Sequence, residues 1–156
     1  MAKVIDRLYA TDYYAWTRAQ AAALRRLAAE RAEVPLDLDH LAEAVEDWGK
    51  SERRAVRRQM RRLLEHLLKL QFSTAEELRS GWRRSIVDAR IELADDLTPT
   101  LRRELETDLA DLYEAASEQA AEALAEYGEA VTLPAECPWT LDNVLRRGWF
   151  PEAVGR

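Results

Sequence analysis

Residues 51–71 have the sequence SERRAVRRQMRRLLEHLLKLQ, the most regular stretch of the chain. Its apolar residues recur at steps of three and four, the spacing that places side chains on one face of an α-helix. Arginines occupy other faces, so the spacing predicts a helix with one side in a protein core and another side in water. The predicted core stripe consists of Val56, Met60, Leu63, Leu64 and Leu67.

The same helical period extends to both sides of this stretch. Pro35 separates two helices, Pro99 starts another, and Gly128 ends it. Gly49 predicts either a helix end or a bend within a longer helix. The other predicted helices lie near 12–32, 39–49, 73–97, 99–127 and 140–147. The helix before Gly49 is expected to bury the stripe Leu38, Leu41, Val45 and Trp48.

The composition is typical of an all-α protein. The chain has 156 residues, of which 47% are hydrophobic, with only five glycines and five prolines. This length suits one domain with a core of its own. We therefore predict a compact antiparallel bundle of five to six helices, forming a single domain over residues 1–156. Because Trp139, Trp149 and Phe150 are too apolar for water, residues 129–156 are expected to fold back as a short C-terminal cap.

Several classes of protein are disfavoured by the sequence. The single cysteine, Cys137, cannot form an intrachain disulfide, and a proline follows it with no histidine nearby, so it is expected to pack rather than to act as a nucleophile. No uncharged stretch is long enough to cross a membrane. The first residues lack the apolar segment of a secretion signal, which favours a cytoplasmic location. Phosphate-binding and dinucleotide-binding glycine motifs are absent, so no cofactor is predicted.

Charges are segregated along the chain. Residues 50–62 contain seven cations and one anion, whereas residues 104–129 contain nine anions and no cation. Like charges one helical turn apart repel each other, so a row of arginines lowers stability unless anions lie near it. Those anions belong either to this chain or to a partner. The arginines form two adjacent rows, Arg53, Arg57 and Arg61 in one and Arg54, Arg58 and Arg62 in the other.

This arginine-rich face is the most distinctive candidate binding surface. It suits an acidic protein partner, either a different protein or a second copy of the chain, whose helix at 99–127 carries an acidic stripe. Nucleic-acid binding through the same face is the alternative, although the net charge of −6 and the absence of a helix-turn-helix or zinc motif weigh against it. The sequence therefore favours a non-catalytic binding module.

A second candidate site combines carboxylates with histidine. His40, Glu43 and Asp47 share one face of the predicted helix at 39–49, and His66 lies on the next predicted helix. If these two helices were antiparallel neighbours, Glu43, Asp47 and His66 would be the metal ligands of a metal-dependent enzyme. The Glu-x-x-His repeats of bundle metal sites are absent, so solvated side chains are the simpler interpretation.

Short motifs run through nearly the whole chain in a characteristic order. They include YAW at 14–16, GKSERR at 49–54, HLLKLQ at 66–71 and CPWT at 137–140. As a series, these motifs resemble a widespread bacterial family that is known only as a domain of unknown function, number twenty-nine. The resemblance implies an all-α bundle and implies no particular activity.

Overall fold

The computed structural model describes residues 2–31 and 33–155, most of which are helical. This part of the chain contains six α-helices, one short 3-10 helix and no β-strand, which confirms the all-α fold class. Within the same ranges, no helix has the length and apolar character needed to span a membrane. The helices are α1 (Ala2–Thr11), α2 (Tyr13–Ala29), α3 (Leu38–Phe72), α4 (Arg79–Asp96), α5 (Pro99–Glu126) and α6 (Leu141–Leu145), and the 3-10 helix is Glu76–Leu78.

Contacts between Cα atoms divide the chain into two compact units. The first unit comprises the residues up to Ala55 together with Leu97–Arg103. The second unit comprises Val56–Asp96 together with the residues from Glu104 onward. Helices α3 and α5 each contribute residues to both units.

Helix α3 is continuous over 35 residues. Of the two outcomes that the sequence predicts at Gly49, a helix end or a bend within a longer helix, the helix end is therefore wrong. A Cβ atom added to Gly49 would lie only 2.3 Å from Oγ1 of Thr17 and 3.5 Å from the ring of Tyr14, both on α2. Thr17 is fully buried, and its hydroxyl donates a hydrogen bond to the carbonyl of Tyr14 (2.7 Å). Gly49 therefore marks a close approach between α2 and α3, not the end of a helix.

The predicted stripe before Gly49 is wrong at two positions. Leu41 is 39% exposed and Trp48 is 56% exposed. The buried positions on this part of α3 are Leu38, Ala42 and Gly49, a line displaced by one residue from the predicted one. Because the glycine at position 49 faces α2, the bulkier side chain of Trp48 lies towards solvent.

Within the first unit, Asp12 joins the N-termini of α2 and α5. Its Oδ1 accepts a hydrogen bond from the N–H of Ala15 (3.0 Å), and its Oδ2 accepts one from the N–H of Thr100 (2.8 Å). Burial raises the pKa of Asp12, but hydrogen bonds to the carboxylate outweigh burial and leave that pKa below its ordinary value. Asp12 is thus the N-cap of α2. Thr11 ends α1, a helix that the sequence does not predict.

Within the second unit, the apolar stripe of residues 51–71 lies in the core as predicted. The five residues of that stripe are each no more than 1% exposed. Helices α4 and α5 also bury large side chains in this unit, including Trp82, Ile86, Leu93, Leu105 and Leu112.

The C-terminal residues contact the rest of the second unit largely through backbone groups. The N–H of Val154 donates to the carbonyl of Gln71 (2.9 Å), and the hydroxyl of Tyr113 donates to the carbonyl of Pro134 (2.7 Å). The rings of Trp139 and Trp149 meet edge to face with their centroids 6.1 Å apart.

Two glycine substitutions test the close approach at Gly49. Replacing glycine by alanine within a helix ordinarily stabilises it by about 0.5–1 kcal/mol, and we expect that gain for Gly81→Ala on α4, where an added Cβ meets nothing within 4 Å. Gly49→Ala should instead lower the free energy of unfolding by about 1–3 kcal/mol, because the added methyl overlaps Thr17. Urea denaturation of both variants measures the difference. A gain in stability for Gly49→Ala would show that α2 and α3 do not approach each other at this point.

Candidate binding surface

The two arginine rows of α3 differ in exposure. Side chains of the first row, Arg53, Arg57 and Arg61, are half-buried. Side chains of the second row are exposed; we call this set the outer row, and it consists of Arg54, Arg58 and Arg62. Both rows lie on the same continuous helix, α3. The face that α3 packs against other residues therefore determines which row is half-buried and which is exposed.

Arginines of the first row make interactions within the chain. The guanidinium of Arg57 forms an ion pair with the carboxylate of Asp108 on α5, and the two side chains are 29% and 24% exposed. Arg53 also has an interaction inside the chain. Part of the basic stretch at 50–62 therefore serves to pair with the acidic stretch that begins at residue 104.

The outer row has no such pairing. Among residues 2–31 and 33–155, no carboxylate forms an ion pair with Arg54, Arg58 or Arg62. Successive members are four residues apart, which corresponds to about 6 Å along a helix that rises about 1.5 Å per residue. These three guanidinium groups form a short, regular line of positive charge on the outer side of α3.

The carboxylate–histidine candidate does not have the arrangement that the metal hypothesis requires. Glu43, Asp47 and His66 all lie on α3, and the side chains of one helix meet only when they are three or four residues apart. Asp47 lies near the ammonium group of Lys50 (3.8 Å). In the described part of the chain, no three His, Cys, Asp or Glu side chains are grouped so that they could hold a metal ion. The two antiparallel helices assumed for this site are replaced by one continuous helix, α3.

The two histidines have opposite environments. His66 is half-buried, and its Nδ1–H donates to the carbonyl of Arg62 (2.8 Å). Burial lowers the pKa of His66, although that hydrogen bond acts in the opposite direction. His40 is exposed, and Nδ1 of His40 lies 2.7 Å from a carboxylate oxygen of Asp37. This hydrogen bond raises the pKa of His40 above its ordinary value.

Cys137 has the environment of a packing residue. Its side chain is half-buried, and its Sγ–H donates to the carbonyl of Trp139 (3.4 Å). Burial raises the pKa of the thiol, which keeps it protonated and disfavours attack on an electrophile.

The sequence analysis missed an aromatic cluster in the first unit. The rings of Tyr9 and Trp16 lie 4.9 Å apart, those of Tyr13 and Trp16 are stacked at 5.5 Å, and Tyr13 meets Trp48 at 6.0 Å. Tyr9 and Trp48 are more than half exposed. The spacing of Tyr9, Tyr13 and Trp16 was visible in the sequence, but the contact with Trp48 depends on the path of α3.

Comparisons with known proteins agree with the fold and give no activity. The family described as Domain of unknown function DUF29 matches residues 8–150. The chain shares 27% sequence identity with an alpha-helical protein of unknown function from Rhodospirillum rubrum, whose crystal structure was determined at 1.45 Å resolution. The similarity covers 90% of each chain with a TM-score of 0.80. Among curated proteins, none matches significantly.

Alanine substitutions distinguish the two arginine rows. Arg57→Ala should lower the free energy of unfolding by about 1–2 kcal/mol, because it removes an ion pair that is partly shielded from water. Arg58→Ala, one residue away in the outer row, should change it by less than about 0.5 kcal/mol. Urea denaturation at one salt concentration compares them. Equal losses would contradict the assignment of one row to internal pairing and the other to solvent.

The pKa values of the two histidines should lie on opposite sides of the ordinary value of about 6.5. His66 should titrate below it, so its contribution to stability is present above that pH and is lost as the pH falls through its folded pKa. His40 should titrate above it, so its contribution is present at lower pH and is lost as the pH rises through its folded pKa. Proton NMR of the imidazole C–H signals measures both, and His40→Gln assigns them. The reverse order would contradict the described environments.

Proposed function

We propose, for this chain that belongs to the DUF29 family, a non-catalytic role in the cytoplasm as a binding module whose outer row docks an acidic helix of a protein partner. The observation that carries the proposal is the contrast between the two rows. Arg57 pairs with Asp108, while Arg54, Arg58 and Arg62 form no ion pair within the described residues. The outer row is therefore the part of the basic stretch that remains available to another molecule.

The energetics of the outer row support this proposal. Like charges one helical turn apart destabilise a helix by about 0.2–0.5 kcal/mol per pair. Three arginines in a row have two such pairs, and no carboxylate among residues 2–31 and 33–155 forms an ion pair with any of the three. A line of anions on a partner would relieve this repulsion and would form charge-assisted hydrogen bonds with the guanidinium groups. The repulsion among the arginines of the outer row is therefore smaller when an anionic partner is bound.

The spacing specifies the partner's chemistry. Carboxylates four residues apart on a helix repeat at the same interval of about 6 Å as the arginines of the outer row. This chain carries such a row itself on α5, in its second unit. All members are exposed, and they are Glu114, Glu118, Glu122 and Glu126. A second copy of the chain therefore satisfies the chemistry of the proposed partner.

Charge reversal tests this role. The triple variant Arg54→Glu, Arg58→Glu, Arg62→Glu should lose binding to a helical peptide copying residues 110–127, and should lose self-association if a second copy is the partner. A matched control with the same change in net charge replaces three exposed arginines outside the row, Arg26, Arg84 and Arg146. Because charge-assisted hydrogen bonds are lost only in the first variant, we expect at least a tenfold weakening there and a much smaller change in the control. Sedimentation and peptide titration at low salt measure both.

A charge-exchange experiment tests whether the outer row contacts the acidic row of α5 on a second copy. Mixing the Arg58→Glu, Arg62→Glu variant with a Glu118→Arg, Glu122→Arg variant should restore association if the rows on α3 and α5 meet. Equal weakening in both triple variants, or a wild-type protein that neither self-associates nor binds the peptide, would contradict the proposal. Tight binding of duplex DNA with a steep salt dependence and no binding of the acidic peptide would assign the row to nucleic acid instead.

A further inference from the structure

A small cavity lies between α4 and the residues that follow α6, within the second unit. Its volume is about 190 Å³, and it is lined by Val87, Arg90, Ile91, Arg147 and Gly148. Sites for drug-sized ligands are about 300–1,000 Å³, so this cavity suits a smaller molecule. None of its lining residues belongs to the arginine rows of α3.

Arg90, on the wall of this cavity, is a buried cation that forms no ion pair with a carboxylate of residues 2–31 or 33–155. Only 3% of the surface of Arg90 is exposed to solvent. Nε donates to the carbonyl of Val144 (2.9 Å), and Nη1 donates to the carbonyl of Trp149 (2.7 Å). The third nitrogen, Nη2, is buried and has no hydrogen-bond partner among the described residues. The guanidinium also lies 5.6 Å from the centre of the Phe150 ring.

The environment of Arg90 leaves its positive charge uncompensated. Burial lowers the pKa of Arg90 to about 10, so the side chain is still protonated at neutral pH. A buried charge is costly unless it is paired and its hydrogen-bonding groups are satisfied. Two backbone carbonyls satisfy part of the guanidinium, but neither supplies a negative charge. An anion in the adjacent cavity would supply it.

The other lining residues define the rest of the ligand. Arg147 provides a second guanidinium at an exposed position on the rim. Val87 and Ile91 lie one turn apart on α4, with 44% and 45% of their surfaces exposed, and form an apolar wall. A fully polar anion such as phosphate would gain nothing from this wall, and a neutral hydrocarbon would gain nothing from the arginines. The cavity therefore combines an anion-binding end with an apolar side.

We propose that this cavity binds a small monocarboxylate with a short aliphatic chain. The carboxylate lies towards Arg90 and Arg147, and the aliphatic chain lies against Val87 and Ile91. The argument is independent of the function proposed for the outer row, since no residue is shared. It assigns a ligand-binding role to Arg90, whose guanidinium also donates hydrogen bonds to the carbonyls of Val144 and Trp149.

Three probe molecules separate the two parts of the site. Hexanoate carries both the charge and the chain, acetate carries the charge alone, and hexanol carries the chain alone. Titration of the 156-residue chain, followed by backbone amide NMR and by calorimetry, should show hexanoate binding at least tenfold more tightly than either of the others. The largest shifts should occur at Val87, Ile91 and Gly148. Hexanoate that binds no better than acetate or hexanol would overturn the proposal.

Two neighbouring arginines provide the matched variants. Arg147→Gln should weaken hexanoate binding about tenfold, because one charge-assisted hydrogen bond is lost. Arg146→Gln, which removes an adjacent exposed arginine that does not line the cavity, should leave binding unchanged. Both positions are exposed, so neither substitution should prevent folding. Equal binding by the two variants would overturn the proposal. A third variant, Ile91→Ser, should weaken hexanoate binding without changing acetate binding.

Discussion

Helix α3 runs without a break through Gly49 and on through residues 53–62, and the arrangement of the arginines requires the second of these segments to be helical. Every fourth residue of a helix returns to nearly the same line, so a row of arginines exists only while the helix is unbroken. Glycine is a poor residue for a helix interior, and its place in α3 is explained by the tertiary contact with Thr17. The close approach of α2 at this point also turns Trp48 outwards.

Much of the fold could be predicted because the helical period is strong where one face is fully buried. The stripe from Val56 to Leu67 and the start of α5 at Pro99 follow directly from spacing and proline placement. The errors occurred where local signals conflicted with tertiary packing. Gly49 resembles a C-terminal cap in sequence, and only the neighbouring Thr17 reveals that it is a packing residue. The exposure of Leu41 and Trp48 follows from the same contact.

The candidate site could be predicted only in part. Spacing alone identified both arginine rows, but the two rows are alike in sequence, and the position of Asp108 on α5 distinguishes them. The metal hypothesis assumed two antiparallel helices, whereas Glu43, Asp47 and His66 lie along one continuous helix. The burial of Arg90 could not be predicted, because an arginine between Ala89 and Ile91 resembles any surface arginine of a helix. Its burial depends on carbonyl groups more than fifty residues later in the chain.

Backbone carbon-13 chemical shifts of residues 45–62 test the central claim most directly, since Cα shifts report helical geometry residue by residue. If α3 is one helix, helical Cα shifts should continue without interruption from Val45 through Gly49 to Arg62. Coil-like shifts over residues 48–52 would contradict the continuity of α3 through Gly49, and coil-like shifts within residues 54–62 would remove the basis for a single row formed by Arg54, Arg58 and Arg62.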